Sequence, residues 1–221
     1  GIDVNFALLH LLMNKLTECR QEVEKLSKSM PNSDIPALLE AALLLKEKQP
    51  KQAIDLLEKY QERNKGNERV ALSLVQIRLN RGEWAEAATA LQSTSLINQP
   101  SIVRLCTELY QKVGDAKSSL NVLNNAIQYW SKQNETSKDD TSKARFIELL
   151  LASARLQEEQ RRHKEAASTY KMLIDQDPSK KSEYFARMVN ALSYFDMEEA
   201  EKYLAQLPAV PTGHLDVNEL E

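Results

Sequence analysis

Apolar residues recur in this chain at spacings of three and four, and no stretch alternates apolar and polar positions for long, so the pattern predicts helix throughout. It is plainest in Glu148–Pro178, ELLLASARLQEEQRRHKEAASTYKMLIDQDP, which divides into two helices joined by a tight turn. Ala154 lies on the first helix, Ala166 and Tyr170 lie on the second, and Pro178 stands twelve residues beyond Ala166. Two antiparallel helices approach to about 8–10 Å only where the residues at their crossing are small, and Ala154 and Ala166 meet that need. Tyr170, one turn on, fills the space beside Ala166. Pro178 ends the helix, because proline has no amide hydrogen and its ring clashes with the preceding turn.

Small residues recur in register with Ala166 at Cys19, Ala53, Ala87, Ser119 and Ala200. The step from each to the next is about 34 residues, except for a longer one between Ser119 and Ala166. Four residues after each stands a large apolar one: Val23, Leu57, Leu91, Leu123, Tyr170 and Leu204. The facing position on each first helix reads Ala7, Ala41, Val75, Thr107, Ala154 and Met188, where Val75 and Met188 are large enough to predict local splaying or repacking. A helix-turn-helix of this period with these small and large positions is a tetratricopeptide unit. The expected fold is all-α, an α-solenoid superhelix of about six tetratricopeptide (TPR)-like helix-turn-helix repeats.

The units are expected at about residues 1–29, 34–65, 67–97, 100–130, 144–178 and 180–207. Phe6, Leu8, Leu9, Leu11 and Leu12 make the opening helix densely apolar, and a terminal repeat needs a polar outer face, so the chain is expected to begin inside a longer array. Asp34 before Ile35-Pro36 predicts a helix cap, Gly82 and Gly114 predict left-handed turn residues, and Trp84 is expected to fold back over its turn. The long step contains SKQNETSKDDTSK, residues 131–143, with no apolar member; a stretch that cannot bury itself predicts an extended connection with some fraying of the helix before it. Residues 208–221 open with two prolines and end in DVNELE, which predicts an acidic C-terminal tail.

At 221 residues with net charge −3, the chain carries no block of lysine or arginine, which disfavours direct binding to RNA or DNA. Its two cysteines, Cys19 and Cys106, fall inside different helices and fit small buried residues of a reducing compartment. No signal peptide is evident and no apolar run approaches the length of a membrane span. His10, His163 and His214 lie apart from each other and from the cysteines, and no phosphate loop, nucleophile elbow or zinc motif occurs. The reading is therefore of a protein that is not an enzyme and uses no metal or cofactor.

What remains is surface. In a stacked array the first helices line the concave wall, which suits an extended peptide or a partner helix. Superposing the units puts Leu38, Ala42 and Leu45 on that wall from the second unit and Leu72, Gln76 and Leu79 from the third. Arg104, Glu108 and Gln111 follow from the fourth, then Arg155 and Glu158 from the fifth. The wall should be apolar toward its N-terminal end and charged toward its middle. The leucines could equally be interhelical core, and the charged residues an ion-pair ladder between neighbouring helices. The lysine and asparagine that repeat domains use to clamp the acidic tails of chaperones are absent, the two columns reading Leu38, Leu72, Arg104, Leu151 and Ala42, Gln76, Glu108, Arg155.

Beyond the generic repeat, KQAIDLLEKY (51–60), AIQYW (126–130), HKEAASTYKMLIDQDP (163–178), EEAEKYLAQLP (198–208) and DVNELE (216–221) stand in an order and at an irregular spacing that resemble one family. They are similar to the C-terminal half of the tetratricopeptide region in the seventy-two-kilodalton subunit family of the eukaryotic signal recognition particle. The resemblance implies a scaffold in a cytoplasmic ribonucleoprotein that acts with ribosomes in protein targeting to the endoplasmic reticulum. It implies a protein partner, the particle's sixty-eight-kilodalton subunit or another particle or ribosome component, and an RNA contact made by a lysine-rich segment that follows the repeats and lies beyond this chain. A generic TPR adaptor of another multiprotein complex is the alternative reading, followed by a helical-repeat RNA binder, which the absence of a basic inner wall disfavours.

Overall fold

The computed structural model describes residues 2–137 and 139–205, and every regular element among them is helical. The chain forms two compact units, residues 1–126 and 127–221. The first holds α1 (Ile2–Leu12), α2 (Leu16–Ser29), α3 (Ile35–Lys46), α4 (Pro50–Arg63), α5 (Glu68–Asn80), α6 (Trp84–Gln92), a 3-10 turn at Ser95–Asn98, α7 (Pro100–Lys112) and the opening of α8 (Ala116–Ser137). From α1 to α7 each helix packs on the next. The second unit holds the rest of α8, α9 (Asp140–Glu159), α10 (His163–Gln176), a 3-10 turn at Pro178–Lys180, α11 (Lys181–Leu192) and α12 (Met197–Leu204), where α9 to α12 again pack in succession. The fold is an all-α helical-repeat solenoid. The expected acidic tail at 208–221 lies outside the described residues.

The small columns are where backbones meet. Ala53, Ala87 and Ala166 are wholly buried, and Cys19 and Ser119, at the same place in their repeats, are small enough to do more than fit. The Cys19 thiol donates to the Ala7 carbonyl at 3.4 Å and the Ser119 hydroxyl to the Thr107 carbonyl at 3.1 Å, each reaching the main chain of the facing helix. Val75 and Met188 are accommodated in buried positions. Around the first crossing Ala7, Leu11, Val23, Leu26, Leu39 and Leu43 form a continuous core, against which Ala42 rests half-buried.

A second column becomes visible only in the backbone. Asn14, Lys48, Gly82, Gly114 and Arg161 all stand five residues before the small anchor of their repeat, and all are left-handed, with φ between 56° and 74°. After each, the next amide donates back five residues: Lys15 to His10, Gln49 to Leu44, Glu83 to Arg78, Asp115 to Tyr110 and Arg162 to Gln157, at 2.8–2.9 Å. This Schellman closure satisfies carbonyls that the helix end would otherwise leave open. The turn before α12 differs, for Asp196 donates only four residues back, to Leu192. Trp84 does cover its turn, its ring lying 3.9 Å from where a Gly82 side chain would begin and under the Lys112 ammonium at 4.4 Å.

Two expectations are corrected. Asp34 does not cap α3 with its side chain; the Ser33 hydroxyl accepts from the Ile35 amide at 3.2 Å, and the Asp34 carboxylate accepts from Asn67 and Arg69, each at 3.3 Å. The polar stretch 131–143 is not an extended connection either. α8 runs on to Ser137 and α9 begins at Asp140, so the extra residues lengthen two helices. One buried stripe suffices to hold them: Trp130 and Phe146 are buried, Arg145 lies over the Trp130 ring at 4.8 Å, and Asn134 donates to Gln176 at 3.4 Å. Burial of two aromatics, worth about 1.5–3 kcal/mol each, outweighs the weak propensity of the polar turns. Asp139 then caps α9 by accepting from the Ser142 amide at 2.7 Å.

The α1 helix leaves Ile2, Phe6 and Leu9 exposed. The equivalent residues of α5, Val70, Leu74 and Ile77, are buried.

Candidate functional site

The first helices of the first unit carry most of the wall that the sequence outlines. Their alignment is fixed at the helix starts, where Asp34 of α3 binds Asn67 and Arg69 at the head of α5. On α3, Leu38 and Ala42 are half-buried and Leu45 is 40% exposed; on α5, Leu72 is 41% exposed, Gln76 is exposed and Leu79 is half-buried. Leu38, Leu45, Leu72 and Leu79 are thus surface residues with part of their apolar area open to water, and not sealed core. Ala42 is partly structural, since it rests against the N-terminal core.

On α7, Arg104, Glu108 and Gln111 are exposed. Arg104 and Glu108 face each other across one turn at 3.9 Å with side chains 72% and 59% open, a screened pair of small energetic weight. In the second unit Arg155 is exposed on α9, whereas Glu158 is half-buried and reaches α11, its carboxylate 3.7 Å from Arg187, which also meets Glu183 at 3.5 Å. Among the described residues, Glu158 is therefore the one of the four charged candidates with an ion pair to a neighbouring helix. Beside it the Tyr170 hydroxyl is pushed up to about 12, first by burial and then by the Glu158 carboxylate. Ion pairs also join helices outside the expected wall: Glu58 of α4 with Arg78 of α5, whose guanidinium also donates to the Glu86 carbonyl of α6 at 2.8 Å, and Arg20 of α2 with Glu47 at 2.7 Å.

No group of His, Cys, Asp or Glu among the described residues could hold a metal ion, and no described helix is long and apolar enough to cross a membrane. Both thiols are buried, and burial pushes Cys106 up to about 11, far from the reactive range. On the opposite face of α3, outside the expected wall, an open cleft lies between α2 and α4. Glu40 lines it, a carboxylate at a place where α5 has Leu74 and α7 has Cys106.

Comparison with known proteins finds the same kind of repeat. The tetratricopeptide repeat family matches residues 44–109 and again 148–179. Signal recognition particle subunit SRP72 of Canis lupus familiaris and that of Homo sapiens are each 30% identical over 220 residues, 99% of this chain. The Dictyostelium discoideum SRP72 is 27% identical over 233 residues, the whole of this chain. The chain spans about a third of the length of these relatives, 32% for the first two and 34% for the third. Among solved structures, pilF of Pseudomonas aeruginosa overlays loosely on 99% of this chain and 94% of its own, at 15% identity and a TM-score of 0.42. The chain is a helical-repeat solenoid that matches the tetratricopeptide repeat family in two stretches and whose sequence, along nearly its whole length, is similar to signal recognition particle subunit SRP72.

Proposed function

We propose that this chain is a non-catalytic protein-interaction scaffold, the repeat segment of a signal recognition particle subunit that serves co-translational targeting to the endoplasmic reticulum. The observation that carries the reading is the row of partly exposed leucines, Leu38, Leu45, Leu72 and Leu79, on the first helices α3 and α5. Packed helices hold such a row in one shape, so a partner loses less free energy to ordering when it binds. The charged residues Arg104 and Glu108 and the polar Gln111 on α7 then bias register and on-rate more than affinity. Arg155 and Glu158 on α9 supply a separate charged surface in the second unit.

The partner we assign is the sixty-eight-kilodalton subunit of the particle, with other particle or ribosome components as further candidates, in the cytoplasm at the endoplasmic reticulum. The mixed charge of the wall supports a protein ligand over RNA. Calorimetric titration of the chain with the C-terminal part of that subunit tests this. The expected result is binding that Leu72→Asp weakens by about tenfold or more, with the melting curve of the chain unchanged. A well-folded chain that gives no heat of binding overturns the assignment.

A further inference from the structure

We propose that the first unit carries a second docking site on its other side, a cleft between α2 and α4 floored by α3, which takes a short peptide segment combining apolar and acidic side chains. The cleft has a volume of about 590 Å³. Glu40 lines it. The corresponding residues Leu74 and Cys106 are buried against the second helix that precedes them, and the Cys106 thiol reaches the Ala88 carbonyl of α6 at 3.8 Å. A carboxylate cannot be sealed there unpaired without a heavy desolvation cost. A further hollow of about 300 Å³ lies beside Glu40 along α2.

The two ends of the cleft differ in character. Because α3 and α4 run antiparallel, Glu40 shares one end with Asp55, and there Arg20 is engaged by both carboxylate oxygens of Glu47, at 2.7 and 2.8 Å. At the other end Met30, Pro36 and Ala37 form an apolar floor, and Lys59 and Arg63 stand above it, one turn apart on α4. Both cations are exposed and have no ion-pair partner among the described residues. An apolar floor beside two unengaged cations complements an apolar side chain flanked by carboxylates. Glu40 and Asp55, one helical turn from these groups, disfavour a continuous polyanion lying along the cleft. The site is independent of the leucine wall, for α3 offers Pro36, Ala37 and Glu40 to the cleft and Leu38, Ala42 and Leu45 to the other side.

The test is an NMR titration of the folded chain with an acetyl-capped hexapeptide, LELEDE, and with its counterpart LKLKKK. The expected result is saturable amide shift changes centred on Ala37, Leu56 and Tyr60 with the acidic peptide alone. Charge reversal by Lys59→Glu with Arg63→Glu, at two exposed positions that leave the fold intact, should weaken binding by about tenfold or more. Ala37→Trp should also weaken it, by plugging the floor with the charges in place. Absence of shifts at these residues, equal binding of the lysine peptide, or parent-like binding by the charge-reversed variant overturns the proposal.

Discussion

Asn14, Lys48, Gly82, Gly114 and Arg161 share one left-handed conformation at one place in the turn, yet only two are glycine. For a residue with a side chain that conformation costs about 1–2 kcal/mol, because Cβ crowds the following carbonyl. At Gly114 no atom lies within 4 Å of where Cβ would stand, so backbone strain is the whole cost of adding one. Gly114→Ala should therefore lose about 1–2 kcal/mol in denaturant unfolding, while Lys48→Gly should gain a few tenths up to about 1 kcal/mol, its relief partly offset by glycine's entropy. Effects of the same sign would refute the strain account. The glycines were legible in the sequence because their residue type announces the conformation. Asn14, Lys48 and Arg161 were not, since only the register of the repeat marks them. Asp34 misled for another reason: its carboxylate is claimed by residues more than thirty positions away.

Acid sensitivity also belongs to single residues. The Asp139 carboxyl is held below the usual range by the Ser142 amide and hydroxyl it accepts from, with Ser137 adding to the effect. A depressed folded-state pKa means that its stabilisation is complete above the unfolded value of about 3.9 and is lost as pH falls through the lower folded value. Asp139→Asn keeps an acceptor for the cap but does not titrate. The parent should melt higher than this variant at neutral pH, and the gap should close as the pH drops through that window. A gap independent of pH would mean that the cap contributes nothing through its charge.

At the scale of elements, α8 and α9 show what composition hides. A stretch such as 131–143 has no apolar residue to bury, but a helix needs only one anchored stripe, and Trp130 and Phe146 lie at the flanks of the stretch. Truncation of a buried aromatic costs about 3–5 kcal/mol, here drawn from the local packing that keeps polar turns helical. Phe146→Ala should thus speed hydrogen exchange across 131–137 and leave the amides of α3 to α6 at their parent rates. Unchanged exchange in 131–137 would show that these turns hold themselves. The small anchors were legible for the opposite reason: Ala53, Ala87 and Ala166 are dictated by backbone approach, which tolerates little else.

At the scale of the whole molecule, the repeat period and the leucine row could be read in advance because both follow from superposing units on one another. The cleft beside Glu40 could not, since a space between three packed helices is marked by no column of residue types. The same comparison gives the uncovered face of α1 a practical meaning. Ile2 is 74% exposed and Phe6 and Leu9 about half, where α5 seals the equivalent Val70, Leu74 and Ile77. A contiguous apolar patch of this kind favours association with any other apolar surface, so the chain purified by itself should be sparingly soluble and sediment faster as its concentration rises. Phe6→Glu with Leu9→Lys should abolish that dependence in analytical ultracentrifugation while leaving the helical signal intact. The material best suited to the titrations above is therefore this double variant, whose substitutions touch neither the leucine row nor the cleft.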